Sequence, residues 1–395
     1  MVPDVTVRQG QSRRRFMGWA AATLGGGALA AGHTPVRAVP RLGPDAPVTR
    51  VYYIAADTVT WDYAPQARSL ISGKSFTTEE SLLTRPGLNR LGSVFHKSQY
   101  REYTDATFTK LARRPGEAYM GLLGPVIRAH VGDTIRVVFK NNTPFKASMH
   151  PHGVFYTTSD EGASVNDGTT DSGRDGGIVD PGKTHTYVWQ VPERAGPGPR
   201  DPSSIGWLYH DHSVMMGVPG TNAGLVGPMV VTRRCSAGHC TTPKDVDREV
   251  FALFTQFDEN VSPYLEQNTD RFGAGQEIDA TDTTFLASNR KPCVNGYLFG
   301  NGPAGTTDSR PSITIDRDTR VRWYCIGLGG ARDIHTPHWH GNTVLVRGHR
   351  TDVVTVLPAT VVTADMRPDN PGTWLFHCHI DEHMMNGMVS RYLVR

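Results

Sequence analysis

At 395 residues the chain is long enough for one large core or two of ordinary size. Its 41 Lys and Arg against 38 Asp and Glu leave a net charge of +3, which excludes nucleic-acid binding carried by bulk charge. With 42 glycines and 27 prolines, turn-rich all-β structure is favoured over helical bundles, and two β-sandwiches are the expectation.

The chain opens with Ser12-Arg13-Arg14-Arg15-Phe16-Met17, then an apolar run from Gly18 to Ala31 and small residues at Ala30, Ala31 and Ala38. A charged start, a short apolar middle and a small-residue end describe an export signal over residues 1–38. The run is too short and too rich in glycine to span a membrane, and no span is expected in the mature chain. The arginine pair followed by Phe16 resembles the twin-arginine signal, which implies export of the folded protein to a periplasmic or extracellular location.

A first domain is expected over residues 47–235. It begins with strand-like VYYIAADTVTWDYAP, and in Thr134 to Lys140 apolar Ile135, Val137 and Phe139 alternate with Thr134, Arg136 and Lys140. That alternation marks a half-buried strand after the turn at Gly132-Asp133, leading into His150-Pro151-His152. Thr157 to Gly177 reads as a long loop. A strand in THTYVWQVPE and the segment Trp207 to His212 follow, and GLVGPMVVTRR ends the unit. A second domain, 246–395, repeats the order: ITIDRDTRVRWYCIGLGG, then His335-Thr336-Pro337-His338-Trp339-His340, then Trp374 to His379. Two copies of one Greek-key sandwich fit this repeat best.

The stretch Leu375 to Met388, LFHCHIDEHMMNGM, carries the chemistry. Cys378, His383 and Met388 have the residue types and spacing of a trigonal His₂Cys site with a weak axial Met, the set that holds blue copper. On a strand, neighbours face opposite ways, so His377 and His379 point away from that metal. They join His150 and His152, His210 and His212, and His338 and His340 as four His-x-His pairs. His335 is left over as the second imidazole of the blue site. In the first half Asp211 stands for Cys378, Ala147 for His335 and Met216 for His383, so a blue centre is expected only in the second.

These motifs resemble those of the multicopper oxidases, with cupredoxin-like domains. VYYIAADTVTWDYAP, HPHGVFY, FTQFDENVSPYLEQN and VNGYLFGN are similar to ceruloplasmin and hephaestin, while WLYHDH, GLVGPMVV and the two-domain length resemble the small bacterial laccases. The resemblance implies four coppers per chain: a type 1 copper on His335, Cys378, His383 and Met388, and a type 2 copper on His150 and His338. It further implies a type 3 pair on His152, His210, His379 and on His212, His340, His377. Two-domain relatives are trimers with the histidine cluster between subunits, so a homotrimer is implied, with a small-molecule reductant and dioxygen as partners.

Oxygen reduction also needs protons, for which Asp381, Asp160 and Glu161 are candidate relays. Tyr156 is read as strand packing rather than a cluster neighbour. Ferroxidase members place a carboxylate and a histidine where this chain has Ala287 and Pro292; Glu382, beside His383, is the one acidic group retained. Laccase-like oxidation of phenols or aromatic amines is therefore expected, ahead of a ferroxidase or cuprous oxidase. Copper nitrite reductase and a non-catalytic copper store are the remaining readings. Of the other cysteines, Cys235 and Cys240 flank a short loop and Cys293 and Cys325 lie on expected strands; disulfides and free buried thiols both remain open.

Overall fold

The computed structural model describes residues 47–164, 176–214, 219–234, 241–273, 275–330 and 333–395. The export-signal expectation, Met216, Cys235, Cys240 and most of the expected 157–177 loop lie outside them.

The first half is built from β1 (Thr49–Asp62), β2 (Val94–Tyr103), β3 (Ile127–His130), β4 (Thr134–Asn142), β5 (His150–Pro151), β6 (Thr184–Gln190), β7 (Ser204–His210) and β8 (Val226–Thr232). They form two sheets, in the orders β2-β1-β4-β6 and β3-β8-β7-β5. The second half has β9 (Arg248–Asp258), β10 (Arg290–Val294), β11 (Ile313–Ile315), β12 (Val321–Gly327), β13 (Pro337–Trp339), β14 (Thr360–Met366), β15 (Gly372–Cys378) and β16 (Val389–Val394). Its sheets run β10-β9-β12-β14, extended by the hairpin Val344–Val346 and His349–Thr351, and β11-β16-β15-β13. The orders repeat strand for strand. Even the parallel joins recur, β1 to β4 with Tyr52 opposite Val137 and β9 to β12 with Phe251 opposite Tyr324. The fold is all-β, two cupredoxin-like Greek-key sandwiches.

Local sequence explains the faces. In β4, Ile135, Val137 and Phe139 are fully buried while Arg136 is exposed, as a period of two requires of a strand covered on one side. In β12 every residue is buried, because both faces are covered. Trp323 meets Trp339 and Phe376 within its own sandwich. Tyr324 faces the first half, its hydroxyl 2.7 Å from Ser204 Oγ. Gly206 permits that approach, since a Cβ there would lie 2.7 Å from the Tyr324 ring.

One core fills the first sandwich around Phe139, Tyr187 and Trp189. The other fills the second and continues into Tyr63, Phe95, Leu122, Leu208 and Val226 of the first half. Across this junction Lys97 and Glu259, each at most 1% exposed, form an ion pair, and the Tyr63 hydroxyl donates to the same Glu259 oxygen at 2.5 Å. The described residues of both halves belong to one compact unit. Cys293 and Cys325 are buried free thiols, so no disulfide joins these two. Burial pushes the Cys293 thiol up to about 12. Among the described residues no helix is long and apolar enough to cross a membrane.

Candidate metal centre

The site is laid out by two short antiparallel pairings that repeat between the halves. β5 pairs with β7, setting His150 opposite His210, and β13 pairs with β15, setting His338 opposite His377 and Pro337 opposite Cys378. The first His-x-His of each half is followed by a glycine, Gly153 and Gly341, with φ of +81° and +71°. A Cβ on either would lie 2.4 Å from an indole ring, Trp207 or Trp374, the residue that begins each W-L-x-H-x-H segment. Only glycine fits both the backbone and the contact. The glycine and the tryptophan thus lock the two histidine-bearing segments together in each half.

In the second half Cys378, His335 and His383 converge in a buried pocket. Cys378 Sγ is 3.6 Å from His383 Nδ1 and 4.0 Å from His335 Nδ1, and the two imidazole nitrogens are 3.2 Å apart. One ion bonded at about 2.0–2.3 Å to each nitrogen and sulfur fits such spacings, and the donor set is that of a soft transition metal. Burial alone would raise the Cys378 thiol. Hydrogen bonds from His335, His383 and the N–H groups of Thr336 and Ile380 outweigh it and bring the pKa down to about 5, so the sulfur is a thiolate at neutral pH. Met388 is fully buried, its N–H donating to His383 O at 2.9 Å and its carbonyl accepting Cys378 N–H at 3.1 Å. His383 sits on the short helix α1 (Asp381–Met385), whose exposed first turn holds Asp381 and Glu382.

The other eight histidines form two separate sets. In the first half His150, His152, His210 and His212 have ring centroids 5.2–5.6 Å apart, with His152 Nε2 3.1 Å from His210 Nε2. In the second, His338, His340, His377 and His379 lie 4.7–5.6 Å apart, with His340 Nε2 3.0 Å from His377 Nε2. Backbone carbonyls orient these rings. His150 Nδ1 bonds Glu161 O, His210 Nδ1 bonds Asp211 O, His338 Nδ1 bonds Asp352 O and His377 Nδ1 bonds Cys378 O, at 2.6–2.9 Å. Each leaves Nε2 free to ligate a metal. Burial holds His152 down to about 4 and His210 down to about 3, so both present neutral imidazole. Among the described residues no ring contact or hydrogen bond joins one set to the other, and no three-ligand group draws on both. Within the second set His338, His340 and His377 by themselves bring three ligand atoms within 4.8 Å of one another.

The first half keeps the frame of the thiolate pocket without its metal chemistry. Asp211 accepts Ser148 N–H at 2.8 Å, as Cys378 accepts Thr336 N–H at 3.3 Å. Ser148 Oγ accepts His212 N–H at 3.0 Å, as Thr336 Oγ1 accepts His379 N–H at 3.1 Å. Ala147 lines the pocket where an imidazole would stand, and Gly220 lies directly against the Asp211 carboxylate.

Burial pushes Asp211 up from 3.8 to about 6, against the hydrogen bonds from Ser148 and Ser213. Below about pH 4 the group is protonated folded or unfolded; between about pH 4 and 6 the unfolded chain ionises first, so this contribution to stability is lost as pH rises through that window. Asp211→Asn is expected to stabilise the protein by up to about 3 kcal/mol above pH 6 and by nothing near pH 4, read from denaturation midpoints across pH. A gain independent of pH would show that ionisation is not its cause.

The remaining candidates differ in setting. Asp160 is half-buried and paired with His185, Nε2 to Oδ1 3.1 Å, in the turn whose Glu161 carbonyl orients His150. Asp381 and Glu382 are exposed, and Ala287 is exposed while Pro292 is buried in β10. Tyr156 is no core residue: it is 37% exposed, with its ring 5.7 Å from His150, because the chain leaves the strand at Gly153. Asp333, Thr336 and Ser148 also touch the centre and are not singled out by sequence; the only signal is their fixed offset from the paired histidines.

Residues 104–236 and 277–395 each match a family profile described as multicopper oxidase, together more than half of the chain. The human ferroxidase HEPHL1 is 40% identical over 354 residues, covering 88% of this chain and 29% of that protein. Human hephaestin is 37% identical over 353 residues (88% and 29%), and human ceruloplasmin 35% over 354 (87% and 30%). The chain spans less than a third of the length of these curated relatives. Among solved structures, one titled as a multicopper oxidase superposes with a TM-score of 0.54 at 18% identity, covering 88% of this chain and 89% of that one. A blue copper oxidase from Nitrosomonas europaea gives 0.52 at 16%, covering 88% and 86%; at such identities the likeness is one of fold. Matches in sequence along both halves, agreeing with the fold and with the donor sets it gathers, make this chain a member of the multicopper oxidase family.

Proposed function

We propose that the protein oxidises a reduced metal ion, ferrous or cuprous, and reduces dioxygen to water at a histidine cluster formed between copies of the chain. One observation carries the oxidase reading: the Cys378 thiolate lies in the buried His335–His383 pocket and is peptide-bonded on both sides to histidines of the second set. Copper bound at these donors supplies one-electron steps at the thiolate and four-electron reduction of oxygen at the histidines.

In this reading His335, Cys378, His383 and Met388 hold the type 1 copper, and His150 with His338 the type 2 copper. His152, His210 and His379 hold one type 3 copper, and His212, His340 and His377 the other. The two close Nε2 pairs, 152 with 210 and 340 with 377, support that division; His338, which also offers a nitrogen within 4.8 Å of the second pair, goes in this reading to the type 2 copper, which leaves each pair one ligand short. The missing ligand belongs to the opposite set, hence to another copy, and a head-to-tail homotrimer closes every such interface. Apolar side chains exposed beside each set in sequence support the contact: Phe155, Tyr156 and Val214 beside the first, Ile334 and Met385 beside the second.

For the reductant, the similarities favour the metal ion over the expected phenol or aromatic amine. The relative at 40% identity is named a ferroxidase, which favours a metal ion despite Ala287 and Pro292. Exposed Asp381 and Glu382, one turn of helix α1 around His383, are the carboxylates available to receive it, and Asp160 with its His185 partner is the candidate for proton supply. Oxygen uptake measured side by side with ferrous iron, cuprous ion and a phenol at matched concentration is expected to be fastest with a metal ion. Faster uptake with the phenol would restore the laccase-like reading.

A further inference from the structure

We propose that Asp333 is a positioning residue of the thiolate centre, holding His335 with Nδ1 toward Cys378 and lowering the reduction potential of the metal there. The inference rests on the reading of His335, Cys378 and His383 as copper ligands.

His335 is fully buried and its two ring nitrogens face different partners. Nδ1 lies with Cys378 and His383, while Nε2 is 3.3 Å from Asp333 Oδ1. Asp333 is itself only 5% exposed, and His335 is its one salt-bridge partner among the described residues. The carboxylate is fixed without help from the imidazole: Oδ1 accepts Gln256 N–H at 2.7 Å and Oδ2 accepts Gly330 N–H at 2.8 Å. Gly329, at φ +128°, closes over it, since a Cβ there would stand 2.2 Å from Oδ2. The loop therefore sets where the carboxylate stands, and the carboxylate sets the ring.

The first half supplies an internal comparison. Ala147 replaces His335, and two residues earlier Phe145 replaces Asp333. Where the imidazole is absent, so is the carboxylate.

The physical consequence has two parts. An imidazole whose outer N–H is held by a carboxylate is kept in one tautomer and is a more basic ligand. A fixed negative charge in a buried site also favours the more positive, oxidised state of a metal beside it. If Asp333 served only to staple its loop, Asp333→Asn would lose one of the two backbone bonds, since an amide offers a single acceptor oxygen, and would lower the thermal midpoint without moving the potential.

The test is a redox titration of the copper-loaded protein, followed at the visible thiolate band, with copper content and thermal midpoint measured alongside. Asp333→Asn is expected to remain blue and loaded. Its oxidised-to-reduced ratio at a fixed poise should move at least ten-fold toward the reduced form, about 59 mV for a one-electron centre. A blue Asp333→Asn with the native potential overturns the proposal, whatever its thermal midpoint. In the unaltered protein loaded with copper(I), histidine-labelled nitrogen NMR is expected to find His335 as the Nε2–H tautomer; an Nδ1–H signal overturns it without any variant. Lack of the visible band in the unaltered protein would instead sink the copper reading on which this one rests.

Discussion

Cys378→Ser is expected to abolish the visible band, remove one copper per chain and reduce reductant-driven oxygen uptake to background, while the histidine-held coppers remain. The thiolate is the one anionic soft donor in its pocket, ionised at neutral pH because His335, His383 and two backbone N–H groups hold its pKa down to about 5. A serine hydroxyl in the same place stays protonated and offers a hard, neutral oxygen. Selectivity of the loss follows from how the neighbouring histidines are held. His377 Nδ1 is bonded to the backbone carbonyl of residue 378, and His379 N–H to the carbonyl and hydroxyl of Thr336; none of these involves the sulfur. Copper counting with the visible spectrum checks it. Full turnover in the serine variant would show that electrons enter elsewhere, and loss of every copper would show that the three centres do not form independently.

Coexpression of two inactive variants is expected to restore activity. A chain with His210→Ala and His212→Ala has a spoiled first set and an intact second; a chain with His338→Ala and His340→Ala is the reverse. If each cluster joins the first set of one copy to the second set of the next, random mixing in equal amounts gives about a quarter of the interfaces two intact sets. Those interfaces also have an intact Cys378, because it sits in the chain that contributes the second set. Purified mixed assemblies should therefore take up oxygen at about a quarter of the unaltered rate, each variant alone at none. The expectation follows from a fact of the single chain: the histidine sets share no ring contact or hydrogen bond among the described residues, though each is ordered around its own close Nε2 pair. No recovery in the mixture would mean that one chain completes its own cluster, by a rearrangement the junction at Lys97 and Glu259 would have to permit.

Much of this protein is legible in the linear text because metal ligation and strand pleating both write at fixed offsets. The alternation of Ile135, Val137 and Phe139 marks β4, and the pairing of His-x-His with a later W-L-x-H-x-H marks where two strands meet. The cysteine between two histidines names a soft metal and the strand period says which way each ligand faces. Comparing Asp211 and Ala147 with Cys378 and His335 identifies the half without a soft-donor pocket, since an aspartate and an alanine offer neither a thiolate nor an imidazole. The substrate was not legible in this way. Ala287 and Pro292 argue against a metal ion and the similarity to a named ferroxidase argues for one, because a substrate carboxylate on an exposed helix obeys no spacing rule.

Sequence by itself determined the two repeated sandwiches and marked the histidines and the cysteine that the structure brings together, because these depend on local periodicity and on the chemistry of single side chains. Only the tertiary structure decided that Tyr156 borders His150 rather than packing inside, that Asp333 reaches His335, and that Lys97 meets Glu259 across the halves. It alone also gathered the eight histidines into two separate fours. Each of these depends on distance between segments far apart in the chain, fixed by sheet order, by the approach that Gly206 allows Tyr324, and by burial that a linear sequence does not measure.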